Sequence, residues 1–280
     1  MSWTETHRGS VQPWQCDVTE HFTVACYFER LEEARASLAD ALGLADLHAR
    51  TDIPRRIEAR FLRELRQGSA FQIESAPLSL DGGLRLGHRF VDSGNGEAVT
   101  WINEHIDAPL TDAQRAAIGA KLADWGGPAS EPRAEPKTTQ GAIPSARGRV
   151  RRDDLDAAGR LGLGAMVHRF SAANAQLGAA IGMDARFEHT DRRGFSTFEL
   201  ILRLTGALDL DAPFLVETCI ALFGGTSMRM VHIMTDAHSG AEIARLSQYG
   251  VNLDLDARRP ARWPDAIRAR AEKLVVPLEG

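Results

Sequence analysis

Two aspartates hold the same place in two stretches of this chain: Asp17 and Asp156 lie 139 residues apart (156 minus 17), each a short step before an amphipathic run. A carboxylate beside the start of a helix can act as general base or nucleophile. The first amides of a helix are unpaired and carry partial positive charge, which suits an oxygen that becomes negative during attack on a carbonyl. His21, four residues beyond Asp17, adds a group that can orient a water or hydrogen-bond a carbonyl, and Tyr27 is a candidate pocket wall. Each also has a plainer reading. Asp17-x-x-Glu20 is a capping-box pattern, a single histidine is more often packed or at the surface, and Tyr27 with its apolar neighbours reads more readily as core than as pocket wall.

The 139-residue shift extends past the aspartates. It pairs Arg8 with Arg147, Gly9 with Gly148, Val11 with Val150, Arg30 with Arg169, Ala34 with Ala173, Ala36 with Ala175 and Gly43 with Gly182. Identity alone decides little, since about three matches are expected by chance. The apolar pattern decides more: Val24, Phe28, Leu31, Leu38 and Leu42 face Leu163, Val167, Phe170, Leu177 and Ile181, each set spaced as one stripe of a helix. Helices are therefore expected over Val24 to Leu42 and Leu163 to Ile181, each ending at a glycine.

Four β-like runs follow the first helix, Ile57–Leu65, Ala70–Leu80, Leu84–Asp92 and Ala98–Asp107, with Asp81-Gly82-Gly83 as a hairpin turn. Four follow the second: Ser196–Thr205, Phe214–Phe223, Ser227–Thr235 and Ala241–Leu253. Short extended segments around Val11 and Val150 precede the helices. Helix-like tails, Thr111–Asp124 and Pro264–Leu274, close each copy. Residues 125–148 carry four prolines and almost no large apolar side chain, and read as a linker between an N-terminal module, 1–124, and a C-terminal one, 149–280. A long helix followed by an antiparallel meander implies an α+β fold in which a curved sheet wraps the helix, because the helix stripe and one sheet face must bury each other.

Composition narrows the function by exclusion. At 280 residues, 44% hydrophobic and 25% charged, the chain suits two modest domains or one duplicated one. A net charge of −5 argues against general nucleic-acid binding. An anionic ligand would need a local cluster such as Arg55, Arg56 and Arg60, or Arg192 and Arg193, although arginine pairs are most often solvated faces. Cys16, Cys26 and Cys219 have no metal spacing and point to reduced thiols in a cytoplasmic protein. No signal peptide, membrane span, G-x-S-x-G elbow, Walker A loop, H-E-x-x-H helix or paired C-x-x-C is present. His168 and His232 read as structural, and Gly159, Gly162 and Gly164 could allow close backbone approach to a ligand.

The run Val11-x-Pro13-x-x-x-Asp17-x-x-x-His21, continued by Tyr27-Phe28-x-x-x-Glu32-Glu33-Ala34-Arg35, resembles the opening of hot-dog-fold acyl-CoA thioesterases of the 4-hydroxybenzoyl-CoA thioesterase-like superfamily. Val150 and Asp156-Ala-Ala-Gly159 are a more degenerate echo, and Asp254-x-Asp256-x-Arg258-Arg259-Pro260 resembles the family's exit. The chain departs from the pattern at Glu20, where the family usually has Gly, at Thr23, where it has Asn, and at Arg160, which replaces the second His. The resemblance implies a double hot dog with an acyl-thioester at the interface of its modules. It implies Asp17, His21 and Asp156 as catalytic candidates, and Thr23, Tyr27 and Gly159 as substrate-binding ones. No metal or redox cofactor is implied, CoA being part of the substrate. An acyl-carrier-protein thioester, an enoyl-CoA hydratase or dehydratase, and a non-catalytic acyl-CoA-binding protein stay open as alternatives, as does a homodimer or higher homo-oligomer. Trp14, Trp101 and Phe198 are candidates for bounding the acyl chain.

Overall fold

The computed structural model describes residues 3–17, 19–44, 56–107, 109–136 and 139–279. The chain forms β1 (Thr4–Ser10), α1 (Val24–Ala41), β2 (Arg56–Phe61), β3 (Ala70–Ser79), β4 (Leu84–Asp92), β5 (Ala98–Ile106) and α2 (Asp112–Gly119). The order then repeats as β6 (Ile143–Arg149), α3 (Leu163–Ile181), α4 (Ala185–His189), β7 (Arg193–Leu204), β8 (Pro213–Phe223), β9 (Ser227–Asp236), β10 (Glu242–Asp254), β11 (Arg259–Pro260) and α5 (Asp265–Ala271). The shift of 139 holds residue for residue from β1 to the start of α1, since Thr4 and Ile143, and Val24 and Leu163, open matching elements.

The strands make one antiparallel sheet in the order β1-β3-β4-β5-β2-β7-β10-β9-β8-β6, with β11 beside β10. Each half is the same five-strand arrangement, and the halves join where β2 pairs with β7, Ala59 opposite Leu200 and Arg60 opposite Glu199. The Arg60 guanidinium pairs with the buried Glu199 carboxylate across that junction.

The two apolar stripes meet under the sheet. Phe28, Leu31 and Ala34 of α1 and Val167, Phe170 and Ala173 of α3 belong to one continuous core and are at most 1% exposed. Truncating such a residue, as in Phe170→Ala, costs about 3–5 kcal/mol. Gly164 permits the crossing, because a Cβ there would collide with Glu29 of α1. Its role is thus helix packing, and Gly162 likewise abuts the Glu32 carboxylate; close approach to a ligand is not what either supplies.

Several expected boundaries move. The extended segments lie just before Val11 and Val150, which are themselves buried core residues. The first tail helix is shorter, ending at Gly119, because its only buried residue is Ile118. The Pro/Gly-rich stretch 125–148 is not a bare tether: β6 begins at Ile143 and pairs with β8. Earlier in that stretch Arg133 makes two bonds to Glu199, at 2.8 and 3.0 Å. Composition hid the strand because it lies at an edge, with alternate residues open to solvent.

Candidate active site

The loop before α1 is shaped by Asp17. Its Oδ1 accepts from the Thr19 amide (2.8 Å), the Thr19 hydroxyl (2.6 Å) and the His21 amide (3.1 Å). The Asp17 amide in turn donates to the His21 carbonyl. Asp156 does the same in the second copy, accepting from the amides of Ala158 and Arg160. Both carboxylates therefore brace a tight loop two residues and four residues on, which is an Asx-type turn rather than the capping box expected from Glu20. The bend needs a left-handed residue. Gly159 supplies it at φ +79°, whereas the first copy places Glu20 there at φ +65°, a conformation that costs a side-chain-bearing residue about 1–2 kcal/mol.

His21 ties the two modules together. Because the Thr19 hydroxyl donates to Asp17, its oxygen is left to accept the Nδ1–H of His21, at 2.8 Å. The ring's Nε2 then sits 2.9 Å from Glu64 Oε2 and 3.0 Å from a nitrogen of Arg258. Arg258 also pairs directly with Glu64. Burial opposes ionisation of Glu64, but the His21 hydrogen bond and charge, joined by Arg258, hold its carboxyl below the usual range. Glu64, Thr19 and Arg258 were not singled out from the sequence as site residues. Only Arg258 carried a signal, in the exit motif.

Asp17, His21, Thr23 and Tyr27 all line one chamber of about 1010 Å³, at the upper end of the range for small-molecule pockets. Part of its wall comes from the first module, and the rest from the second, between α3 (Phe170, Asn174, Leu177) and the strands β7, β9 and β10 (Phe198, Met230, Gln248). Tyr27 serves two ends: it lines the chamber and packs its ring among Phe22, Phe61 and Phe90. Thr23 is the N-cap of α1 but makes no side-chain capping bond, so no cap from that residue covers the first amides of α1 at the chamber wall.

Asp156 lies elsewhere. It borders a shallower space of about 470 Å³ with Glu32 and Arg35 of α1. There Glu32 Oε1 accepts the Leu163 amide at 3.0 Å, so the start of α3 is already occupied by a side-chain carboxyl group. Burial pushes the Glu32 carboxyl up, with the Leu163 and Gly164 amides acting in the other direction. Gly159 borders neither this space nor the chamber, and Arg160 faces exposed Asp209. Of the proposed acyl-bounding aromatics, only Phe198 lines the chamber. Trp14 is 80% exposed, and Trp101 stacks edge-on with Trp3 and Trp125.

The arginines proposed for anions are already occupied. Arg56 bonds Glu58, Arg60 bonds Glu199, Arg192 bonds Asp256 and Arg193 bonds Asp254, while Arg55 falls outside the described residues. Among the described residues one group of possible metal donors occurs, Cys26, Glu29 and His168. It holds an ion pair of 3.5 Å and a thiol that burial pushes up to about 12, and none of the three lines the chamber.

Fold and site together define a double hot dog with a chamber lined by both of its modules. The model of the thioesterase-like superfamily matches residues 11–125 and again 150–271. The chain belongs to that superfamily and is a thioester hydrolase. Similar solved structures include an acyl-ACP thioesterase from Bacteroides thetaiotaomicron, 10% identical, TM-score 0.66, with 88% of this chain and 96% of that one covered. A putative oleoyl thioesterase from Lactobacillus plantarum is 14% identical, TM-score 0.66, covering 90% and 97%. The 12:0-ACP thioesterase of Umbellularia californica is 12% identical, TM-score 0.60, covering 88% and 93%. At these identities the likeness is one of fold. No curated protein matches the sequence. Among the described residues no helix is long and apolar enough to cross a membrane.

Proposed function

We propose that the protein hydrolyses an acyl-CoA to the free acid and CoA at the mouth of the chamber, with Asp17 as the reacting carboxylate. The observation that carries this reading is that Asp17 and the uncapped start of α1, at Thr23 and Val24, border the same chamber. The thioester carbonyl lies against the first amides of α1, which stabilise the oxyanion as a tetrahedral centre forms. Oδ1 of Asp17 is engaged by three donors, which leaves Oδ2 to take a proton from water as that water attacks the carbonyl carbon. Collapse of the tetrahedral centre breaks the carbon–sulfur bond, and the departing thiolate takes up the proton. Direct attack by Asp17, giving an anhydride that water opens, is the other form of the same chemistry. His21, whose two ring nitrogens are engaged by Thr19, Glu64 and Arg258, holds the loop that carries Asp17 in place, and the acyl chain enters the second module.

A second reading differs only in the carrier. The solved structures of similar fold from Bacteroides and Umbellularia are described as acyl-ACP thioesterases, which favours testing the carrier-protein thioester beside CoA. Thiol release across matched acyl-CoA and acyl-carrier-protein panels decides between them. Asp17→Asn keeps an Oδ1 for the loop while removing the base, so it should lower turnover about 10²–10⁴-fold with unfolding unchanged. Undiminished turnover in that folded variant removes Asp17 from the reaction.

A further inference from the structure

Three neutral side chains cross the chamber in a row. Asn174 on α3 donates through Nδ2 to Gln248 Oε1 on β10, at 2.8 Å, and Gln248 donates through Nε2 to Thr197 Oγ1 on β7, at 2.6 Å. All three line the chamber, among apolar neighbours such as Phe170, Leu177 and Leu246. The bonds within the row leave its ends unfilled. Asn174 Oδ1 is buried and has no hydrogen-bond partner, and the Thr197 oxygen, having accepted from Gln248, still has its own O–H to place. A buried acceptor left unmet is costly and calls for a partner.

The first module has the same bridge in a different chemical form. The 139-residue shift sets Arg35 against Asn174. Glu104 stands two residues beyond Ile102, the partner of His88, as Gln248 stands two beyond Leu246, the partner of His232. Arg35 and Glu104 are an ion pair at 3.6 Å, with Glu104 wholly buried. Both modules thus carry a polar link from helix to strand at this height. In the second module that link is uncharged, and its residues line the chamber.

We propose that the chamber is built for an acyl chain carrying a hydroxyl group, which meets the row at one of its ends, donating to Asn174 Oδ1 or accepting from the Thr197 hydroxyl; this rests on the chamber being the acyl site of the thioesterase. A hydroxyl both donates and accepts, so it satisfies whichever end it meets. A ketone oxygen only accepts, a carboxylate finds no cation in the row, and an unsubstituted chain leaves both ends unmet.

The test is a thiol-release panel of straight-chain acyl-CoAs, each matched with mono-hydroxylated forms in which the hydroxyl moves carbon by carbon along the chain. At least one hydroxylated form should exceed its parent in kcat/KM by about tenfold, a difference of about 1.4 kcal/mol. Asn174→Leu should abolish that ratio, and the isosteric Thr197→Val provides the same comparison if the first variant does not fold. A panel in which no hydroxylated form exceeds its parent, or variants that leave the ratio intact, overturns the proposal. If wild-type protein cleaves nothing, the thioesterase reading fails separately. Calorimetric titration with free hydroxy acids and their parents then tests the row alone: about tenfold tighter binding of a hydroxy acid supports it, and equal affinity overturns it.

Discussion

The two half-sites start from the same loop and end as different objects. Asp17 and Asp156 brace their turns alike, yet only the first opens on a deep chamber. The difference lies on the facing helix. Ser171 of α3 lines the chamber, while its counterpart on α1, Glu32, reaches across and caps the start of α3. Three residues further along the helix, neutral Asn174 has Arg35 as its counterpart, whose charge is drawn to buried Glu104. Duplication supplied two potential sites, and charged side chains on one helix have filled the second. The ends of the helices α1 and α3 are thus equivalent in backbone but opposite in occupancy.

The strongest way to break this contrast is to remove each carboxylate. Asp17→Asn should abolish most thiol release, by about 10²–10⁴-fold, whereas Asp156→Asn should leave it within about twofold, because the anion position at α3 belongs to Glu32. Equal losses in kinetic assays would mean that both halves react. Next in size is a transplant. Ser171→Glu puts the blocking carboxylate into the chamber and should lower kcat/KM about tenfold or more, about 1.4 kcal/mol or above, with little change in the thermal midpoint. Retained activity would show that a carboxylate at this height does not close a half-site.

Glu64 and Glu32 sharpen the comparison through pH. Glu64 titrates below its ordinary range, so its stabilisation is present above about pH 4.3 and lost as the pH falls through the lowered folded value. Glu32 titrates above its ordinary range, so its contribution is full below about pH 4.3 and lost as the pH rises through the raised folded value. Glu64→Gln should therefore lower the urea midpoint at neutral pH, the gap closing on acidification. Glu32→Gln, which retains an acceptor for Leu163, should raise it at neutral pH, the gain fading on acidification. Profiles of the same sign would contradict the opposed environments of the two carboxylates. The smallest effect concerns the turns themselves: Glu20→Gly relieves a left-handed glutamate and should stabilise by about 1 kcal/mol, and Gly159→Ala should cost about as much. Calorimetric unfolding reads both, as shifts of about 2–4 °C for a chain of this size.

Short-range pattern alone announced most of the architecture. The apolar stripe of Leu163 to Ile181 gave its helix to the residue, and Leu84 to Asp92 its strand, since periods of 3.6 and 2 are written into neighbouring residues. The duplicated aspartates were legible in the same way, whereas the left-handed turn at Gly159 was not read from the sequence. Edge strand β6 was not, because half-exposed, proline-bearing segments look like linker. Of the site, the sequence showed mainly the residues just before and within α1.

What pattern could not contain is contact between distant parts. Arg258 meets Glu64 across 194 positions, and Glu32 reaches Leu163 across 131. The sequence by itself determined two copies of a helix-wrapping sheet with an acid before each helix. Tertiary structure decided that the first copy's acid opens on the second copy's interior, and that the reciprocal opening is filled. The reason is geometric: local preferences fix how each element forms, while occupancy of a shared interface depends on which side chains the packing of α1 against α3 brings within reach.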